Sequence, residues 1–376
     1  MTFDFRLRTS KLLGRLGLLG VWYKPKSFCY DSLFFVHAFL INIFYNVHVF
    51  TQVAYIFVNY DDMEKWSSSA LLTLTELLTN MKAYYIIINK ATILKIQGSV
   101  KRESFQPKNP RQEEMAKSTF KIFDTMYLVH MMGPTVTIMF FGLYPLLELK
   151  TKQEKHLPFS ACYPYDYTLW PYFELTYIYQ IICSFVAAFI HVQADCLAFN
   201  LIAILVVQVD YLTDNLRNMG NKGKNEKRGK CEHETDIDLY DCIAHHKDIL
   251  STRSDVYQIL NRNLFGQFFM STVALCFTSL QLSVVSPTST QFIALITYEI
   301  ALLAELLMFC WWGNELIMKS QLIPQAAFES DWVESSVSYK KDLAFFIMRT
   351  QKPMTLFAID FFSISLSTFI LVSILR

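Results

Sequence analysis

Charge is what this chain has least of. Asp, Glu, Lys and Arg make up 18% of its 376 residues, against 53% hydrophobic and 15% aromatic. Ordinary soluble domains carry roughly 25% charge. The 8 cysteines form no extracellular framework. Cys183, Cys196, Cys276 and Cys310 fall in apolar runs, Cys231 and Cys242 in a basic stretch, and Cys29 at the mouth of the first run. Only Cys162 lies in a predicted outer loop, so no intrachain disulfide is expected. Catalytic motifs are missing too: there is no G-x-S-x-G, H-E-x-x-H or phosphate-binding loop. His37, His48, His130 and His191 lie in four different apolar runs, where packing or hydrogen bonding is the expected role. No enzyme activity, catalytic residue, cofactor or nucleic-acid partner is expected. The set Cys231, His233, Cys242, His245 and His246 has metal-ligand types but none of the usual zinc spacings, and no metal site is assigned. No internal repeat is present, which argues against a secondary transporter built from inverted repeats.

Long apolar runs are what the chain has instead. Residues 32–59 contain no Asp, Glu, Lys or Arg. Further runs cover 66–88, 122–147, 171–208, 263–286, 290–317 and 354–375. A bilayer needs about 20 mostly apolar residues per helix, so an all-α membrane protein with seven crossings is predicted. The second run is the weakest, because Glu76 and Lys82 interrupt it. Residues 1–20 lack the pattern of a signal peptide. Leu12, Leu13, Leu16 and Leu19 instead predict an amphipathic helix on the inner membrane face.

The basic residues set the orientation. With the N-terminus and every second loop on one side, 27 Lys and Arg fall there and 4 on the other. The predicted N-terminus is cytoplasmic and the C-terminus extracellular, opposite to a G-protein-coupled receptor. The run at 220–230, G-N-K-G-K-N-E-K-R-G-K, reads as a flexible cytoplasmic loop. Residues 171–217 would form a helix of about 70 Å at ~1.5 Å per residue, too long for one crossing. Its inner end therefore projects into a cytoplasmic bundle, with 331–352 as another member.

Ionisable residues inside spans are costly and mark function. Here they are Glu76, Asp124, Glu174, Asp195, Glu299, Glu305 and Asp360. Asp124 and Asp195 are expected near the cytoplasmic boundary. Glu299 and Glu305 lie deeper, where they pair with Lys82 or Arg262 or else carry a proton. The outer halves of the second, third, fourth and sixth crossings supply material for a concave, mostly apolar ligand site. Its candidates are Leu72 and Thr75, Ile138 and Gly142, Phe173, Tyr177 and Ile181, and Phe292 and Leu295. Gly133 and Gly142, with Pro134, are expected to leave room for the ligand. Ordinary helix packing is the competing reading. In the seventh run Asp360, Ser363 and Ser367 follow helical spacing and form a polar stripe suited to a pore lining. The competing reading is serines bonded to backbone within a bundle. One such helix cannot enclose water, so a pore needs several subunits.

The C-terminal quarter reads A-E-L-L-M-F-C-W-W-G-N-E-L at 304–316, A-F-E-S-D-W at 327–332, R-T-Q-K-P at 349–353 and F-F-x-x-S-L-x-T-F at 361–369. This text resembles the signature of the insect odorant receptors. Gustatory relatives end in T-Y-x-x-x-x-Q-F, and this chain has no Gln-Phe there. It has Ile359–Asp360 where the family often has Gly-Lys, which reverses the charge beside the Phe-Phe pair. The resemblance implies a multi-pass plasma-membrane protein. It implies the odour-tuned subunit of a heterotetrameric, non-selective cation channel formed with co-receptor subunits, gated by a small volatile ligand. It divides the chain into a cytoplasmic N-terminal segment (1–30), helices one to six with the pocket (31–315), a cytoplasmic anchor segment (316–353) and a pore-lining seventh helix (354–376). Within the anchor segment, Trp332 and Arg349 are the expected assembly residues.

Overall fold

The computed structural model describes residues 4–25, 28–152, 155–219 and 232–374. Their helices are α1 (Phe5–Leu18), α2 (Phe28–Val58), α3 (Met63–Ile88), α4 (Lys90–Ser99), α5 (Pro110–Lys152), α6 (Tyr172–Arg217), α7 (Glu232–Val284), α8 (Thr290–Ser320), α9 (Ile323–Phe328), α10 (Val337–Thr350) and α11 (Leu366–Ile374). A two-stranded antiparallel hairpin, β1 (Phe357–Ala358) and β2 (Phe362–Ser363), precedes α11. Side-chain caps fix several helix starts by satisfying N–H groups that have no partner within the helix. Asp4 accepts from Leu7 N at 3.0 Å, Asp62 from Lys65 N at 3.2 Å, Ser289 from Phe292 N at 3.1 Å and Ser336 from Tyr339 N at 3.2 Å.

Five described helices are long and apolar enough to cross a membrane, within Tyr30–Val58, Pro110–Leu147, Tyr172–Arg217, Asp238–Val284 and Thr290–Phe328. Helix α3 has 26 residues, which at ~1.5 Å each is length enough. Its charged residues keep it out of that set.

Helix α6 is the axis of the fold. It packs against α1, α2, α3, α5, α7, α8 and α9, and from Ile190 to Val209 every residue is buried. A helix apolar on all sides is stable only when surrounded, and here its own protein surrounds it. Its 46 residues span about 69 Å, so its last turns reach the basic end of the molecule among α1, α9 and the start of α5. Among the described residues of the zinc-type set, Cys242, His245 and His246 form no metal-holding group. Cys231 and the His233 side chain lie outside the described residues. His245 shares a hydrogen bond with Gln208 Oε1 at 3.0 Å, and the His246 ring packs on Phe346 at 5.4 Å. The 220–230 run also lies outside the described residues.

Two expectations about the chain's ends need correction. The first concerns α1, which is amphipathic but does not turn its apolar face to lipid. Phe5, Leu12, Leu13 and Leu16 are buried. The Phe5 ring lies 5.8 Å from Phe120 and 6.4 Å from Tyr211. The projecting end of α6 supplies a protein surface that the stripe covers in place of a bilayer. The second concerns 354–376, which is not one helix. Pro353 cannot continue α10. The backbone then turns at Ile359 (φ 47°) and Asp360 (φ 54°). Asp360 therefore lies in a hairpin turn and Ser363 in a strand, and only Ser367 is helical. The three do not form a helical stripe. Thr368 Oγ donates to the Ser363 carbonyl at 2.6 Å, and Ser365 and Ser367 share a hydroxyl bond at 2.9 Å.

The hairpin is firmly held. Leu356, Ala358 and Ile364 are fully buried. Met354 N donates to Ser320 Oγ at 2.9 Å and Tyr257 OH to Asp360 at 2.5 Å. Arg253 donates to the Thr355 carbonyl, and Phe362 packs edge-on against Phe268 at 5.0 Å. Gly313 lies against the Ile364 backbone so closely that a Cβ there would collide with the Ile364 carbonyl oxygen.

Candidate functional site

A cavity of about 90 Å³ opens between α3, α5, α6 and α8. One water needs roughly 10–15 Å³ measured this way, so the space suits one small organic molecule. Helix α3 contributes Leu72, Thr75, Glu76 and Thr79; α5 contributes His130, Pro134, Thr137, Ile138 and Phe141; α6 contributes Ser184, Ala187, Ala188 and His191; α8 contributes Tyr298, Ala301, Leu302 and Glu305. The spacings are helical on each element, so one stripe per helix faces inward. The alanines keep the space open where larger side chains would fill it.

Phe159, from the loop between α5 and α6, closes one side. Its backbone is clasped by Gln180: Phe159 N donates to Gln180 Oε1 at 3.1 Å, and Gln180 Nε2 donates to the Phe159 carbonyl at 2.9 Å. The ring stacks on Phe141 at 6.0 Å and meets His48 edge-on at 6.2 Å. Gln180 also bonds Tyr163 OH at 3.2 Å, and burial pushes the Tyr163 phenol up to about 12.

The cavity's opposite side is charged. Lys82 Nζ lies 2.6 Å from Asp195 and 2.9 Å from Glu305, with Lys82 and Asp195 fully buried. His191 Nε2 is 2.8 Å from Glu305 and His130 Nε2 is 3.2 Å from Asp195. Thr79 Oγ contacts His191 Nδ1 at 3.0 Å. On all four helices these residues lie toward the basic end relative to the rest of the lining. Glu305 is thus paired with Lys82. Asp195 is not at a solvated boundary as expected, because the long α6 carries it into the packed centre. Asp124 is exposed as expected, bonded to Arg8 at 2.7 and 2.9 Å. His130, Asp195 and Glu305 are close enough to hold a metal ion, but the Lys82 ammonium supplies the positive charge between the two carboxylates. Glu299 accepts from Ser279 at 3.2 Å.

Of the nine predicted ligand residues, Leu72, Thr75 and Ile138 line this cavity. Gly142, Tyr177 and Ile181 line a separate groove between α5 and α6, which Ile138 also borders. Gly142 and Gly133 do not leave room for a ligand. A Cβ at Gly142 would lie 2.8 Å from Ile181 Cδ1, and one at Gly133 would lie 3.3 Å from Ala301. Their missing side chains let neighbouring helices approach. Tyr177 OH donates to the Gly142 carbonyl across that seam. Phe173 packs on Tyr177 at 5.8 Å and under Lys155 at 5.2 Å. Leu295 is core and Phe292 half-buried beside the Ser289 cap. The expectation missed Glu76, Thr137, Phe159, Ala187, Ala188 and Tyr298. Small residues at 187–188 and 301, opposite a helical Pro134, were the available signal. Nothing in the sequence marks Phe159.

The family model described as "7tm Odorant receptor" matches residues 62–375. The chain belongs to that family. It is similar to Odorant receptor 42a of Drosophila melanogaster, 28% identical over 48% of this chain and 43% of the relative. It is also similar to Putative odorant receptor 92a of the same organism, 23% identical over 86% of this chain and 81% of the relative. The fold matches the solved olfactory receptor OR5 from Machilis hrabei in complex with eugenol, with TM-score 0.84 and 16% identity, over 99% of this chain and 97% of that one.

Proposed function

We propose that this odorant receptor is a subunit of a plasma-membrane cation channel gated by a small, mostly apolar volatile ligand held in the cavity between α3, α5, α6 and α8. The observation that carries this reading is the cavity itself: a partly open space whose accessible surface is largely apolar, bordered by Phe159, in a chain of this family. A neighbouring solved receptor holds eugenol, which supports the ligand class. Four subunits, with a co-receptor among them, surround the ion path. Helix α11 lines it, with Ser367 at a polar position. In support, α11 has no buried residue in the single chain, as an element completed by partners would. The N-terminus is cytoplasmic, as the distribution of Lys and Arg indicates.

The test fills the cavity. Ala188→Phe, expressed with a co-receptor, should raise the half-maximal concentration of every agonist more than about tenfold while surface expression holds. Loss of packed apolar area of ligand size is worth several kcal/mol, and about 1.4 kcal/mol is a tenfold change. Unchanged dose–response curves would remove this cavity from the function.

The anchor region supplies the assembly surface. Phe328, Val333, Val337, Phe345 and Met348 are exposed on and around α9 and α10. An apolar group of this extent marks a protein contact. Trp332 packs at a tilt on Phe328 at 5.9 Å and donates to its carbonyl at 2.9 Å, shaping that surface, and Arg349 is exposed on the same helix as Phe345. Trp332→Ala, Arg349→Ala and Phe345→Asp should each lower the tetramer fraction in native size measurements and reduce maximal current. Agonist sensitivity in the channels that do form should stay put. A variant with intact tetramers and shifted sensitivity would assign this region to ligand coupling.

A further inference from the structure

We propose that the cavity selects ligands carrying a hydroxyl group over otherwise matched ethers, aldehydes and hydrocarbons. This rests on the cavity being the ligand site. Most hydroxyls around the space have already given their proton. Tyr298 OH donates to the Leu71 carbonyl at 2.8 Å and meets Thr75 Oγ at 2.6 Å. Ser184 Oγ donates to the Gln180 carbonyl at 3.0 Å and Thr79 Oγ to the Thr75 carbonyl at 2.9 Å. A hydroxyl has one proton to give, so these groups turn only lone pairs toward the cavity.

Two groups with spare capacity bear on a hydroxyl. Thr137 Oγ is buried and has no hydrogen-bond partner. Its neighbour Thr135 follows the usual habit and donates to the carbonyl one turn back, at 2.8 Å. A buried polar atom left unmatched is costly, and Thr137 is one of the residues that line the cavity. The second is the Glu76 carboxylate. It is the lining carboxylate with no Lys or Arg ion pair, whereas Glu305 has Lys82. Glu76 accepts from Gln52 Nε2 at 3.1 Å and contacts His48 Nε2 at 3.3 Å. A carboxylate has about four lone-pair sites, so acceptor capacity is left over.

A ligand hydroxyl answers both needs: it donates to Glu76 and accepts from Thr137. An ether or aldehyde oxygen can only accept, so it leaves Glu76 unanswered. A hydrocarbon answers neither. The spare acceptor site on Glu76 is the one an ether or aldehyde cannot answer, so the donor bond to Glu76 sets the preference.

The test measures currents from the receptor with its co-receptor for four ring compounds: benzyl alcohol, benzyl methyl ether, benzaldehyde and toluene. Benzyl alcohol should act at a half-maximal concentration at least about tenfold below the other three. In Glu76→Gln that advantage over the ether and aldehyde should shrink to about threefold or less. Thr137→Val, close to isosteric, should weaken the alcohol, ether and aldehyde and leave toluene unchanged. Should Glu76→Gln fail to reach the surface, the wild-type ranking and Thr137→Val decide the matter. Equal potency of the four compounds, no response to any of them, or an unmoved toluene-to-alcohol ratio in Thr137→Val overturns the inference. If the four compounds are equal yet Ala188→Phe shifts them all, the cavity stands as the ligand site and only the hydroxyl preference falls. If Ala188→Phe shifts none, both readings fall.

Discussion

Lys82→Met should be the most damaging single change in this chain. The substitution removes the only ammonium within reach of Asp195 and Glu305 among the described residues. Two carboxylates would then stay buried with imidazoles as their remaining neighbours. Breaking a buried ion pair from one side costs about 3–5 kcal/mol, a large share of the roughly 5–15 kcal/mol that holds a folded protein together. Detergent-solubilised Lys82→Met should melt far below wild type or be lost as aggregate. The triple variant Lys82→Met/Asp195→Asn/Glu305→Gln should recover most of the folded yield, because it removes the uncompensated charge along with its partner. The contrast between single and triple variants is the informative measurement. A single variant as stable as the parent would mean that the cluster is not ionised as drawn.

The second large effect is expected at Gly313. Alanine there drives a Cβ into the Ile364 carbonyl oxygen, and that neighbour is backbone, which cannot swing aside. Forced overpacking costs about 1–3 kcal/mol, and here the cost falls on the docking of the hairpin against α8. Gly313→Ala should assemble and bind ligand, since Gly313 is outside the cavity lining, yet lose most of its maximal current. Single-channel recording with a parallel binding measurement separates the two. Normal current through Gly313→Ala channels would show that the seating of 354–365 on α8 is not required for opening.

The helices were legible in the sequence because burial in lipid or protein demands long apolar runs, and such runs survive any detail of packing. The family resemblance implied a pocket between α3, α5, α6 and α8, and a cavity lies between them. It did not imply which face of each helix looks inward. Tyr177 and Ala187 lie ten positions apart on α6, about 80° from a common face at ~3.6 residues per turn. Aromatic residues drew attention where alanines in fact make the space. The hairpin was hidden for a different reason. Left-handed backbone normally announces itself through Gly or Asn, whereas Ile359 and Asp360 adopt it because the surrounding contacts hold them. Asp195 was misplaced because the length of α6 was known but not the depth at which its neighbours enclose it.

Helix α6 touches the cavity at Ala187 and the far bundle at Asp214, where Gln112 donates to the carboxylate at 2.9 Å. Those two points are about 40 Å apart along one uninterrupted rod. A tilt of about 3° pivoting at the cavity carries the far end about 2 Å. The packing that makes α6 so heavily enclosed thus makes it a lever, in which a small rotation beside the cavity becomes a contact-breaking displacement at the far end.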